Sequence, residues 1–161
     1  MTAEDPAQGL AEGVVAALAE RGQTVATAES VTAGGVCVML TTVPGSSAVV
    51  RGGLVVYATD LKTSLAGVDE KVLAEHGAVY PEVAVQLAAG ARARCGSDWG
   101  LGLTGVAGPG SAEGVACGTV FIGLVGPRVR TVRALHSDRD RAGVRAAAVA
   151  GALQLLREHL C

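Results

Sequence analysis

The chain has 161 residues, 50% of them hydrophobic, the size of one domain with enough apolar side chains for a sizeable core. Its 13 basic residues are scattered and outweighed by 15 carboxylates, a formal net charge of -2, so there is no electrostatic footprint for nucleic acid and a small molecule is the expected partner. No stretch reaches the roughly 18 apolar residues of a membrane span, and Glu4 and Asp5 stand where a secretory signal would be basic, so a cytoplasmic protein without membrane contact is expected.

Residues 6–21 set Leu10, Val14, Ala17 and Leu18 at helical spacing, with Pro6 suited to the first turn and Gly22 to the stop. Residues 24–28 read as a short strand, and Thr32 is placed to cap a helix running through Val36 to about Thr42, before Pro44 and Gly45. Ser30 thus falls in a strand-to-helix turn. A second strand is predicted over residues 53–57, then short helices near 62–65 and 69–76, the latter opened by Asp69 and closed by Gly77. Lys62 follows just beyond the carboxyl end of that strand.

Pro81 begins a helix of about fourteen residues that repeats Val83, Leu87 and Ala91 on one face before Gly96, and residues 99–103 make a third strand. Residues 104–110 (TGVAGPG) are too rich in glycine and proline for regular structure and continue irregularly to 117, a candidate active-site loop. Runs at 119–125 and 129–135 around Gly126, Pro127 and Arg128 predict a hairpin, and Asp138 or a residue soon after it opens a closing helix to about His159. The expected fold is α/β: a three-layer α/β/α sandwich around a mixed sheet, one domain over the whole chain.

Phe121, Trp99, Tyr57 and Tyr80 are the only aromatic residues, so alanine, valine, leucine and glycine fill the core and let helices approach the sheet closely. Cys37, Cys95, Cys117 and Cys161 form no CxxC pair, and His76, His136 and His159 are dispersed, so neither a disulfide framework nor a metal centre is expected.

Polar side chains first gather at residues 28–34 (AESVTAG), at a strand's carboxyl end, where ligands bind in open α/β sheets. A hydroxyl held in a tight turn before a helix is exposed, and nearby unsatisfied N–H groups can stabilise an oxyanion; Ser30 fits that demand, although a capping role explains the same pattern. No histidine lies near a recognisable acidic partner, which leaves lysine as the base, and of Lys62 and Lys71 only Lys62 is well placed. Burial would lower its pKa toward neutrality; a solvated lysine starting a short helix is the alternative. Tyr57 could donate to the substrate or the amine, or serve as a rim residue of the core. Ser46 and Ser47, with the Thr104 loop, offer donors of the kind that cradle phosphate, yet each segment also reads as an ordinary turn and neither is a P-loop. Arg139 and Arg145 lie where a guanidinium could take a ligand phosphate in bidentate fashion.

Together these blocks resemble the C-terminal domain of the competence-damage-inducible CinA family, whose stand-alone members include nicotinamide-nucleotide amidohydrolases. The resemblance runs over nearly the whole chain and is carried by residues 28–34, 44–47 (PGSS), 53–57 with Lys62, 76–79 (HGAV), 104–109 (TGVAGP), 118–120 (GTV) and Asp138-Arg139. It implies hydrolysis of the carboxamide of nicotinamide mononucleotide to nicotinate mononucleotide and ammonia, in pyridine nucleotide salvage, with no metal or organic cofactor. By the resemblance Ser30 and Lys62 form the catalytic pair and Tyr57 assists. Thr32, Gly34, Ser46, Ser47, Thr104, Gly105, Arg139 and Arg145 are expected to bind the nucleotide, and N–H groups near Ala33 and Gly34 to hold the oxyanion. The chain departs from the family pattern at Tyr80, where serine is usual, at Val115 and Ala116, where Lys-Pro is usual, and in two extra residues between Arg139 and Arg145. A family member that binds a nucleotide or a protein without turnover is the alternative reading. The apolar surface of so Ala- and Val-rich a chain leads us to expect a homo-oligomer.

Overall fold

The computed structural model describes residues 5–161, so Glu4 lies outside the described residues. Helix α1 (Pro6–Arg21) starts where the Asp5 carboxylate accepts from Ala7 N and stops at Gly22, whose positive φ of 61° lets its N–H fold back onto the last carbonyls. Strand β1 (Val25–Glu29) leads into α2 (Gly35–Thr41), a short 3-10 turn at Ser46–Ala48, and β2 (Val50–Val55). Helices α3 (Thr59–Ala66), α4 (Glu70–His76) and α5 (Pro81–Cys95) precede β3 (Trp99–Gly105). The hairpin β4 (Thr119–Gly126) and β5 (Val129–His136) is followed by α6 (Arg141–Leu160).

The five strands form one mixed sheet in the order β2-β1-β3-β4-β5, with β1 parallel to both neighbours and the hairpin antiparallel. Strand alternation divides the interior in two. Val25, Trp99, Leu101, Leu103, Val120, Ile122 and Leu124 face α1, α2 and α6, while Ala26 and Ala28 face α3 and α5. The expected three-layer α/β/α arrangement is therefore the observed one.

On the α5 face, β3 and β4 carry glycine where the other face carries large side chains. A Cβ at Gly100 would lie 2.0 Å from Ala88 O, and one at Gly102 or Gly123 would lie 2.2 Å from Ala84 O. Helix α5 thus rests on bare backbone, the close approach that the glycine and alanine content foreshadows.

Element boundaries depart from expectation in two places that matter for the site. Strand β2 begins before residue 53 and ends at Val55, leaving Tyr57 beyond the strand. Strand β3 runs on through Thr104 and Gly105, because both pair with β4 rather than joining the loop. The closing helix opens where expected, soon after Asp138: Asp140 caps it, its carboxylate accepting from Gly143 N at 2.9 Å.

The crossover from β1 to β2 passes through α2 on one face of the sheet, and that from β2 to β3 passes through α3, α4 and α5 on the other. The carboxyl ends of these parallel strands open on a crevice at such a switch point, which is where α/β sheets take their ligands.

Candidate functional site

A cleft of about 330 Å3 lies at this edge. Its wall comes from the strand ends and the loops that follow them: Ser30 after β1, Tyr57 after β2, Lys62 from α3, Ala78 and Val79 before α5, Thr104 and Gly105 at the end of β3, and residues 106–113.

The sheet ladder brings Ser30 and Lys62 to one cleft. Val56 N donates to Glu29 O at 2.9 Å, so the residue before Ser30 is paired with the residue after β2. The chain then turns into α3, and Lys62 Nζ reaches back to donate to Val56 O at 2.9 Å and Tyr57 O at 3.2 Å. Lys62 is 1% exposed and Ser30 is buried, yet both line the cleft; they are not hydrogen-bonded to each other. Burial pushes the Lys62 amine below the usual lysine value, while the carboxylates of Glu113 and Asp60 pull it partly back.

Thr104 is buried and spends its hydroxyl on Ala78 O at 2.8 Å; the Glu113 carboxylate takes Ala78 N at 2.9 Å from the facing loop. Residue 78 is thereby held from both sides, which stiffens the wall opposite Ser30. Tyr57 is 58% exposed, and its hydroxyl accepts from Arg141 Nη2 at 3.1 Å; Nη1 of the same guanidinium donates to Gly108 O. Arg141 so bridges the mouth of the cleft from the first turn of α6.

Several expected ligand-binding residues lie elsewhere. Ser46 and Ser47 precede β2, whose first residue pairs with the first residue of β1, so they sit at the amino end of the sheet, the full length of β2 away from the cleft. Arg145 donates to Val31 O at 3.2 Å and Thr32 O at 3.4 Å and braces the turn after Ser30 from behind. Arg139 is exposed and does not line the cleft. The guanidinium at the cleft is Arg141, from the second of two adjacent Asp-Arg pairs; with Asp140-Arg141 as the pair, the two extra residues before Arg145 disappear.

Thr32 does not cap α2. Its hydroxyl donates to Glu29 Oε1 at 2.7 Å, and the Glu29 carboxylate itself accepts from Val36 N and Cys37 N, filling the amino end of the helix. Gly34 precedes α2 in the left-handed region at φ 96° and does not line the cleft. Ala33 N is taken by Ser30 O, so it is not free to hold an oxyanion. Among the described residues, the N–H groups of Val31 and Thr32 have no protein acceptor, and Val31 lines the cleft.

Tyr80 stacks on His76 with ring centroids 4.0 Å apart and lies outside the cleft, as do Val115 and Ala116. Among the described residues no three His, Cys, Asp or Glu side chains gather as a metal site, and no helix is long and apolar enough to cross a membrane.

The chain matches the CinA C-terminal domain family over residues 7–160. It belongs to that family. A CinA-like protein of Frankia casuarinae is 46% identical over 158 residues, 98% of this chain and 36% of the relative, so the chain spans about a third of the length of the curated relatives it matches. A competence/damage-inducible protein, CihA, of Agrobacterium tumefaciens is 33% identical with a TM-score of 0.91, covering 96% of this chain and 95% of that one. A competence or damage-inducible protein of Enterobacter asburiae is 27% identical with a TM-score of 0.93, covering 96% and 98%. The fold is thus shared with both solved structures at 27% and 33% identity.

Arg141, Glu113 and Glu29 are the residues that sequence reasoning missed. The repeated Asp-Arg, with Asp140 three residues before Gly143, was a signal for Arg141. A carboxylate at the end of an otherwise uncharged strand was one for Glu29. Nothing in the local sequence marks Glu113, which reaches residue 78 across a loop.

Proposed function

We propose that this CinA-family chain hydrolyses the carboxamide of a pyridine nucleotide, nicotinamide mononucleotide, with Ser30 as nucleophile and Lys62 as base. The observation that carries the reading is a buried lysine sharing one cleft with a serine at the carboxyl end of β1. A neutral amine has two N–H bonds and one lone pair. Val56 O and Tyr57 O accept the two N–H bonds, which leaves the lone pair as the remaining tetrahedral position.

In this mechanism Ser30 Oγ attacks the carboxamide carbon as its proton passes to Lys62 Nζ. The oxyanion lies against Val31 N–H, the residue after the nucleophile, with Thr32 N–H beside it. Collapse breaks the C–N bond, Lys62 returns the proton, and ammonia leaves. Water then attacks the acyl ester, giving its proton to Lys62, and nicotinate mononucleotide is released as Ser30 is regenerated. Tyr57 and Thr104 shape the wall, and Arg141 takes the ribose phosphate in the role first expected of Arg139 or Arg145.

Purified protein is expected to release ammonia from nicotinamide mononucleotide, and folded Ser30→Ala and Lys62→Ala variants are expected to lose the release. Full turnover in both variants sinks the assignment. The second reading, a binding module, is favoured by the absence of a Ser30–Lys62 hydrogen bond and by Glu113, which stabilises the charged amine. Calorimetry showing nucleotide uptake without ammonia release would decide for it. We also propose that copies of the chain associate; Val38 of α2 and Val55 of the edge strand β2 are among the exposed apolar side chains, and a sedimentation mass equal to one chain would refute this.

A further inference from the structure

Glu29 is completely buried, and among the described residues it has no ion-pair partner. A carboxylate in that position must be compensated by hydrogen bonds. Four donors supply them. Oε1 accepts from Thr32 Oγ1 at 2.7 Å and Val36 N at 2.8 Å, and Oε2 accepts from Thr27 Oγ1 at 3.0 Å and Cys37 N at 3.1 Å.

These donors come from β1, from the turn after Ser30 and from the first turn of α2. One side chain therefore clamps all three segments. The turn it clamps needs support: Ala33 and Gly34 are consecutive left-handed residues, at φ 48° and 96°, and alanine adopts that region only where its surroundings impose it. Strand alternation turns Glu29 toward α2, while Ser30 faces the cleft and Lys62 on the other side of the sheet edge.

We infer that Glu29 is the positioning residue of the site: its carboxylate locks the turn 30–34 and so fixes where Ser30 Oγ and the Val31 N–H point. The inference rests on Ser30 being the nucleophile. It requires the carboxylate, because each of its oxygens accepts a backbone N–H. A glutamine, whichever way its amide is turned, sets an NH2 against one of them.

The test is Glu29→Gln, with Thr32→Val as a milder second variant. In folded Glu29→Gln, kcat for ammonia release is expected to fall roughly 100-fold, the loss that a misplacement of the order of 1 Å brings. KM should stay within about threefold, since the substrate contacts are untouched. For Thr32→Val the expected loss in kcat is about tenfold. An unchanged kcat in folded Glu29→Gln, or a raised KM at unchanged kcat, overturns the inference. Should Glu29→Gln not fold, Thr32→Val decides alone, and wild-type kcat in it overturns the inference. Labelling of Ser30 by an organofluorophosphonate separates this inference from the amidase reading. If the wild-type chain releases no ammonia from any carboxamide, the amidase reading fails, while labelling that is fast in the wild type and slow in the variants still supports the clamp. Equal labelling rates, or no labelling of Ser30 in the wild type, overturn it.

Discussion

Replacing Gly102 with alanine tests the packing that holds the site together. The added Cβ would lie 2.2 Å from Ala84 O, 2.5 Å from Ala88 N and 2.7 Å from Leu87 Cβ. Two of these atoms are helix backbone and cannot rotate away, so relief requires α5 to lift from β3 by about 1 Å, a gap that forfeits a quarter to a half of the dispersion energy across it. The face that would open buries Val83, Leu87, Ala88 and Ala91. Overpacking ordinarily costs about 1–3 kcal/mol, and the fixed backbone puts this case at about 3 kcal/mol. For a chain of this size that lowers Tm by about 6–12 °C. Helix α5 begins directly after the 78–80 segment, so the same lift strains the Thr104–Ala78 hydrogen bond at the cleft wall. Urea denaturation should be read beside Gly9→Ala, an exposed helix position with nothing within 4 Å, where a gain of about 0.5–1 kcal/mol is expected. A Gly102→Ala variant within about 0.5 kcal/mol of wild type, inside the scatter of ordinary surface substitutions, would refute the close-approach argument.

Three further outcomes follow from the site. Because the folded-state pKa of Lys62 is lowered, the unfolded chain binds more protons between that value and the ordinary lysine value of about 10.4, so stability should rise with pH across this window. Lys62→Met is expected to remove that rise, read as urea midpoints at neutral and alkaline pH. Glu113 opposes the lowering, and Lys62 must be neutral to act as base, so Glu113→Gln should move the acidic limb of the kcat/KM profile to lower pH; a limb that stays put or moves up contradicts the assigned charge coupling. Arg141→Ala should raise KM for a phosphorylated amide by about 10- to 100-fold, the worth of a charged hydrogen bond. It should leave an unphosphorylated amide unaffected, and equal effects on both would mean that Arg141 only braces Tyr57 and Gly108.

Local rules in the chain itself determined much of this protein. Asp5 and Gly22 bound α1, Pro81 and Gly96 bound α5, and the alternation of Trp99, Leu101 and Leu103 with glycines marks β3; each of these signals acts within a few residues, where propensity and capping operate. Ser30 and Lys62 were legible for the same reason, as polar side chains at the ends of strands. What only the tertiary structure decided is who touches whom across the sheet. Ser46 and Ser47 read as donors until the β1–β2 register sends them to the far edge. Arg145 turns to backbone carbonyls while Arg141 reaches the mouth of the cleft. Contacts between residues tens to more than a hundred positions apart depend on strand order, register and helix placement, which are set by burial of the whole core and leave no mark in a short window of sequence.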